Sequence, residues 1–174
     1  MTLEFRAPWS RSLKAASLFA VVVFATVLAA GILVMPARLL LARCMMIGLP
    51  LIVLSIAFLS IVSGYTLTAT QLEIERPFWS TAFPLAQLLS VAGNAEVFKG
   101  SLRLFGNGGI FSFTGLFWKR GVGCYRSFAT DPARAVILKF EKRTIVVTPD
   151  DTQRFIVRVR THLANREPAA VRDA

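Results

Sequence analysis

Apolar residues dominate residues 15–35 and again 44–62, and neither stretch holds a charged side chain or a histidine. About 20 apolar helical residues cross the hydrocarbon layer of a bilayer, so each stretch is long enough to span it. Only residues 36–43 separate the two. The pattern predicts a transmembrane hairpin with helices over 15–35 and 39–62. From Tyr65 the period shortens to two. Tyr65-Thr-Leu-Thr-Ala and Leu72-Glu-Ile-Glu-Arg alternate on either side of Thr70-Gln71, which predicts a β-hairpin. A third strand is expected over 78–83 after Pro77, then a short helical turn or strand extension over 84–89 where the chain crosses to a second sheet. Residues 97–105 read as a further strand. Residues 111–118 and 123–130 flank the turn Lys119-Arg120-Gly121-Val122, and 135–140 pairs with 144–148. About seven antiparallel strands at close spacing argue a barrel or a sandwich.

The period then returns to helical. Phe155, Val159 and Leu163 recur at i, i+4 and i+8 with Ile156 beside them, so one helix face is apolar. Thr148-Pro149-Asp150-Asp151 supplies a start signal, with Thr148 at the N-cap, Pro149 at N1 and Asp151 at N3. A lone amphipathic helix after a run of strands must bury its stripe, and closing the open end of the β-structure does so. Lying flat on a membrane is the alternative. The expected organisation is a basic tail over 1–14, the helical hairpin, a β-rich domain over 65–165 and a flexible tail over 166–174.

Charge sharpens this picture without adding chemistry. The 174 residues carry a formal charge of +10. From residue 65 onward there are 15 Lys and Arg against 9 acids, a net +6 spread along the domain. Next to an anionic leaflet each nearby cation contributes about 1 kcal/mol of attraction, whereas a membrane tether argues against nucleic acid as the partner. The N-terminal flank holds Arg6, Arg11 and Lys14 and the loop holds Arg38 and Arg43, so positive-inside counting puts both termini in the cytoplasm. Pro50 is a tolerated bend in the second span. With no ionisable group at mid-membrane, two spans read as an anchor and not as a transporter. Cys44 and Cys124 lie in different parts of the chain and imply no disulfide.

Four stretches carry a resemblance: Tyr65-Thr-Leu-Thr with Leu72-Glu-Ile; Leu104-Phe-Gly-Asn-Gly-Gly-Ile-Phe111; Gly115; and Val147-Thr-Pro-Asp-Asp151 with Phe155. In them the chain resembles the bacterial pleckstrin-homology-like (PH-like) domains found behind transmembrane segments. The resemblance implies an α+β, mostly-β domain in which about seven strands are closed by a C-terminal helix, set at a bacterial inner membrane. It implies no mechanism.

Candidate sites are few. Gly106-Asn107-Gly108-Gly109 matches neither a P-loop nor a dinucleotide fingerprint; residues that take positive φ cheaply suit a tight turn or bulge between strands. Trp118, Lys119 and Arg120 at a hairpin tip suit contact with lipid headgroups or a partner. The first hairpin, where phosphoinositide-binding relatives place basic residues, has neither Lys nor Arg at Thr70-Gln71. His162 is the one histidine, too isolated for a zinc site or a catalytic triad. The expectation is therefore a non-enzymatic protein-interaction or scaffold module, without cofactor or metal, meeting membrane lipids, other membrane proteins or copies of itself. A lipid-headgroup-binding module and an accessory subunit of a membrane enzyme or transporter are the alternatives.

Overall fold

The computed structural model describes residues 2–36 and 38–170, with side chains described as far as Ala164. Its two apolar helices are α1 (Arg11–Leu33) and α2 (Leu40–Leu59). At 1.5 Å per residue they are about 35 and 30 Å long, long and apolar enough to cross a membrane. The Ser10 hydroxyl caps α1 by accepting from the Leu13 N–H at 3.1 Å. The helices touch closely at Gly31, where a Cβ would come within 3.0 Å of the Met46 side chain. Arg43 belongs to α2 and donates to the Ile32 carbonyl at 3.1 Å, which satisfies one orphan acceptor at the end of α1. Leu18, Phe19 and Leu41 are mostly exposed, and Ile52 and Ile56 more than half.

The first residues are not a tail. Strand β1 (Leu3–Arg6) pairs antiparallel with β2 (Gly64–Leu67), joining Leu3 to Leu67 and Arg6 to Gly64. Four alternating residues, two of them the charged Glu4 and Arg6, carry too weak a local signal, and their partner lies about sixty residues away. Geometrically, the helical hairpin is an insertion in the connection of a β-hairpin. Strands β3 (Gln71–Glu75) and β4 (Ser80–Pro84) complete a four-stranded sheet in the order β1-β2-β3-β4. The β2–β3 reversal falls at residues 68–70, one step earlier than the expected Thr70-Gln71. Thr68 closes it by exchanging hydrogen bonds with Gln71.

As expected, a short turn at Leu85–Gln87 carries the chain to a second sheet. That sheet contains β5 (Leu88–Gly93), β6 (Leu102–Ile110), β7 (Ser112–Lys119), β8 (Gly123–Ala129), β9 (Val136–Phe140) and β10 (Thr144–Val147), in the order β5-β9-β10-β8-β7-β6. Three expectations are corrected here. The strand expected over 97–105 starts only at Leu102, because Asn94 folds residues 94–101 into turns, its side chain accepting from the Glu96 N–H at 3.0 Å. The pair β8–β10 is parallel, not antiparallel. The two sheets stay separate, so no closed barrel forms; they share one core instead, in which Tyr65, Leu72 and Phe83 meet Phe128, Leu138 and Ile145.

The last helix, α3 (Thr152–Ala170), buries Phe155, Ile156 and Val159 in that core. It closes the domain, as the apolar stripe required, and does not lie free for a membrane. Phe5 of β1 meets Phe155 edge-on at 5.2 Å. Two details differ from expectation. Asp151, not Thr148, caps the helix, its carboxylate accepting from the Arg154 N–H at 2.9 Å. Thr148 is fully buried, and its hydroxyl accepts from the Thr130 N–H at 2.9 Å. The expected tail over 166–174 is helical as far as Ala170, and 171–174 lie outside the described residues.

Candidate functional site

The β-domain is seated on the helical hairpin by a small polar joint. The Ser60 carbonyl, just past α2, accepts from the Ser112 hydroxyl at 3.1 Å and the Thr114 hydroxyl at 3.3 Å. The Phe111 N–H donates to the Ser17 hydroxyl of α1 at 2.8 Å, and the Phe111 and Trp9 rings lie 6.1 Å apart. The β6–β7 reversal, with Phe111 at φ 63°, therefore rests against both helices. Beside this joint a cavity of about 720 Å³ opens between the last turns of α2 and the face of β6 and β7.

Its walls divide by chemistry. Val53, Ile56 and Ala57 of α2 with Phe105 and Leu116 make an apolar side. Arg76, Arg103 and Arg126 make a cationic one, and among the described residues no Asp or Glu lines it. Arg76 is set at the base of the hairpin because the Ser63 N–H donates to the neighbouring Glu75 carbonyl at 2.9 Å. Its guanidinium carbon stands 5.1 Å from the Phe128 ring centre and 5.5 Å from that of Trp79. Arg126 approaches the same Phe128 ring at 5.3 Å. Such contacts favour the cation but leave its N–H groups unused. Arg76 Nε and Nη2 are buried with no hydrogen-bond partner among the described residues. Burial, and then the charge of Arg126, lower the Arg76 guanidinium below its usual pKa. A half-buried cation with a like charge nearby and idle donors is complementary to an anion.

A family model described as Bacterial PH domain matches residues 63–163. The chain belongs to that family. The match begins one residue before β2, so β1 stands outside it although β1 completes the PH domain's first sheet. No curated protein matches the chain, and no solved structure does.

Within this PH domain the expected site residues fall in different places. Gly106, Asn107 and Gly108 line the arginine cavity, and of the two expectations, tight turn or bulge, the structure has the bulge, inside the edge strand β6. Register shifts around them mark bulges, and the chain reverses only after Ile110. The glycines have a steric reason. Gly106 faces Gly115 across the ladder, and a Cβ on Gly115 would strike the Phe105 carbonyl. Asn107 ties the bulge, its side-chain oxygen accepting from the Ile110 N–H at 3.0 Å.

Trp118, Lys119 and Arg120 lie at the other end of β7, about 23 Å along the strand from Ser112. Trp118 and Arg120 are exposed, and the Lys119 ammonium donates to the Glu96 carbonyl. His162 lines a separate, smaller cleft with Leu3, Leu67 and Arg158. The arginine cavity escaped the sequence reading because its cations come from three separate strands or strand ends. The available signal was Arg103 and Arg126 standing among apolar strand residues, as in Leu102-Arg-Leu-Phe and Tyr125-Arg-Ser-Phe.

Proposed function

We propose that this chain is a two-span membrane protein whose PH domain is a non-enzymatic protein-interaction module held against the bilayer surface. The observation that carries the reading is the β1–β2 pairing, in which both ends of the apolar hairpin enter one sheet. No linker separates hairpin and domain, so any partner must itself lie at the membrane. Other membrane proteins or further copies of this chain fit that requirement. The contact surface we favour is the edge strand β6, which among the described residues pairs with β7 alone and exposes Leu102, Leu104 and Phe105. Unpaired strand edges invite pairing with another chain.

The test has two arms. The full chain in native membranes should resist alkaline carbonate extraction; release into the supernatant overturns the membrane-spanning part. A photo-crosslinking residue at Leu104 should give a discrete adduct that L102D/F105D abolishes, while the same residue at Arg154 on α3 gives none. Adducts that survive the double substitution overturn the β6 surface.

A further inference from the structure

We propose that the cavity between α2 and the β6–β7 strands binds one anionic glycerophospholipid, with its phosphate on Arg76 and Arg126 and its acyl part along Ile56, Phe105 and Leu116. This goes beyond a protein-interaction role and relies only on the membrane-spanning part of that reading. Four observations converge on it. The cavity gathers three guanidinium groups and, among the described residues, no carboxylate. Two donor atoms of Arg76, which lines the cavity, are buried with no partner among the described residues, and leaving such donors idle is costly. A phosphate supplies acceptors for the paired N–H groups of a guanidinium better than any other common group does.

The remaining wall is apolar and open on one side. Ile56 and Phe105 are 60% and 79% exposed, so this wall runs on into the bare surface of α2. A free phosphate would have no use for such a wall. A lipid without a phosphate would have no use for the arginines, and the choline of a zwitterionic lipid would bring a further cation to three that already repel it. An amphiphile with an anionic head satisfies both halves, and a bilayer at the level of α2 holds it at high local concentration. The volume, about 720 Å³, is that of a small-molecule site. It suits a headgroup and the first part of a chain, the remainder lying along α2. The site is separate from the first hairpin, whose residues Thr68, Ala69 and Thr70 carry no cation, and from the Trp118–Arg120 tip.

The test uses the purified full chain in a neutral detergent, offered equimolar phosphatidylglycerol and phosphatidylcholine and examined by native mass spectrometry. One phosphatidylglycerol should be retained at least tenfold over phosphatidylcholine. R76Q/R126Q should reduce that retention at least tenfold, whereas K119Q/R120Q should leave it unchanged. I56W, which fills the apolar side without touching an arginine, should also lose the adduct while keeping a sharp thermal transition. The I56W arm decides if R76Q/R126Q does not fold. Equal retention of the two lipids, displacement by millimolar inorganic phosphate, or an adduct that survives in folded I56W each overturns the proposal. Because the lipid is supplied in detergent, these results do not depend on carbonate extraction, and the two readings can fail separately.

Discussion

Tyr65 shows how one residue ties the domain together. It is fully buried; its hydroxyl donates to the Phe128 carbonyl at 2.6 Å and accepts from the Thr148 N–H at 3.1 Å. That links the first sheet to the strand leading into α3. Burial raises the hydroxyl's pKa to about 12, against the opposing pull of its bonds with Thr148. The native state thus holds the neutral form while the unfolded chain ionises near its ordinary value of about 10. The stability from this group is complete below about pH 10 and is lost as pH rises toward 12, about 2–3 kcal/mol in all. Y65F should cost about 1–3 kcal/mol at pH 7, because it leaves the Thr148 N–H unpaired, and should show a shallower alkaline decline. Urea unfolding of both proteins at pH 7, 9 and 11 tests this. Burial raises Tyr125 as well, but Tyr125 is present in both proteins, so the difference belongs to Tyr65. Parallel alkaline curves contradict the assignment.

Elements with a local signature were legible in the sequence, and elements made by distant pairing were not. The charge-free runs located α1 and α2, and the alternation at Tyr65 and Leu72 located β2 and β3. The stripe of Phe155 and Val159 located α3 and its burial. By contrast β1 is four residues long and is defined only by its partner strand, and the parallel β8–β10 pair joins segments separated by β9. The glycine block reads as a turn or bulge because its φ preferences are local, while what makes it a bulge, the close approach of Gly106 to Gly115, lies across the ladder. The arginine cavity is the extreme case, assembled from β6, β8, the end of β3 and α2. The missed element is also the one whose removal has the clearest consequence. A fragment of residues 63–164 has the whole family match but lacks β1, which exposes the β2 edge and uncovers Phe155. It should be less stable and prone to associate. Joining residues 2–9 to its start through a short Gly/Ser linker should restore a monomer with a higher thermal midpoint. F5A in the full chain should cost about 3–5 kcal/mol. A fragment that is monomeric and as stable without β1 contradicts this role.

For the whole molecule the β1–β2 pairing is a topological constraint. A chain that enters and leaves its helical hairpin through one sheet has both flanks on the same side of any bilayer the hairpin crosses. The charge bias then chooses the side. Arg43 lies within α2 and spends its guanidinium on the Ile32 carbonyl. A carbonyl is neutral, so Arg43 keeps its charge at the loop end of the hairpin and counts with Arg38 against Arg6, Arg11 and Lys14 beside the domain. Positive-inside counting therefore stays at three against two, and its expected outcome is a cytoplasmic PH domain. Cys124 is exposed on the domain, so in a C44S background it reports the domain's side, and C44S/C124S/R38C reports the loop's. With a membrane-impermeant maleimide on spheroplasts, R38C should label and Cys124 should not; on inverted vesicles the two should exchange. Because R38C itself removes a loop cation, a second probe with Cys in place of Pro36 keeps the charge count and should behave alike. Labelling of domain and loop from the same face contradicts the hairpin. Exchange in the opposite sense keeps the hairpin and places the domain, with its arginine cavity, at the outer leaflet.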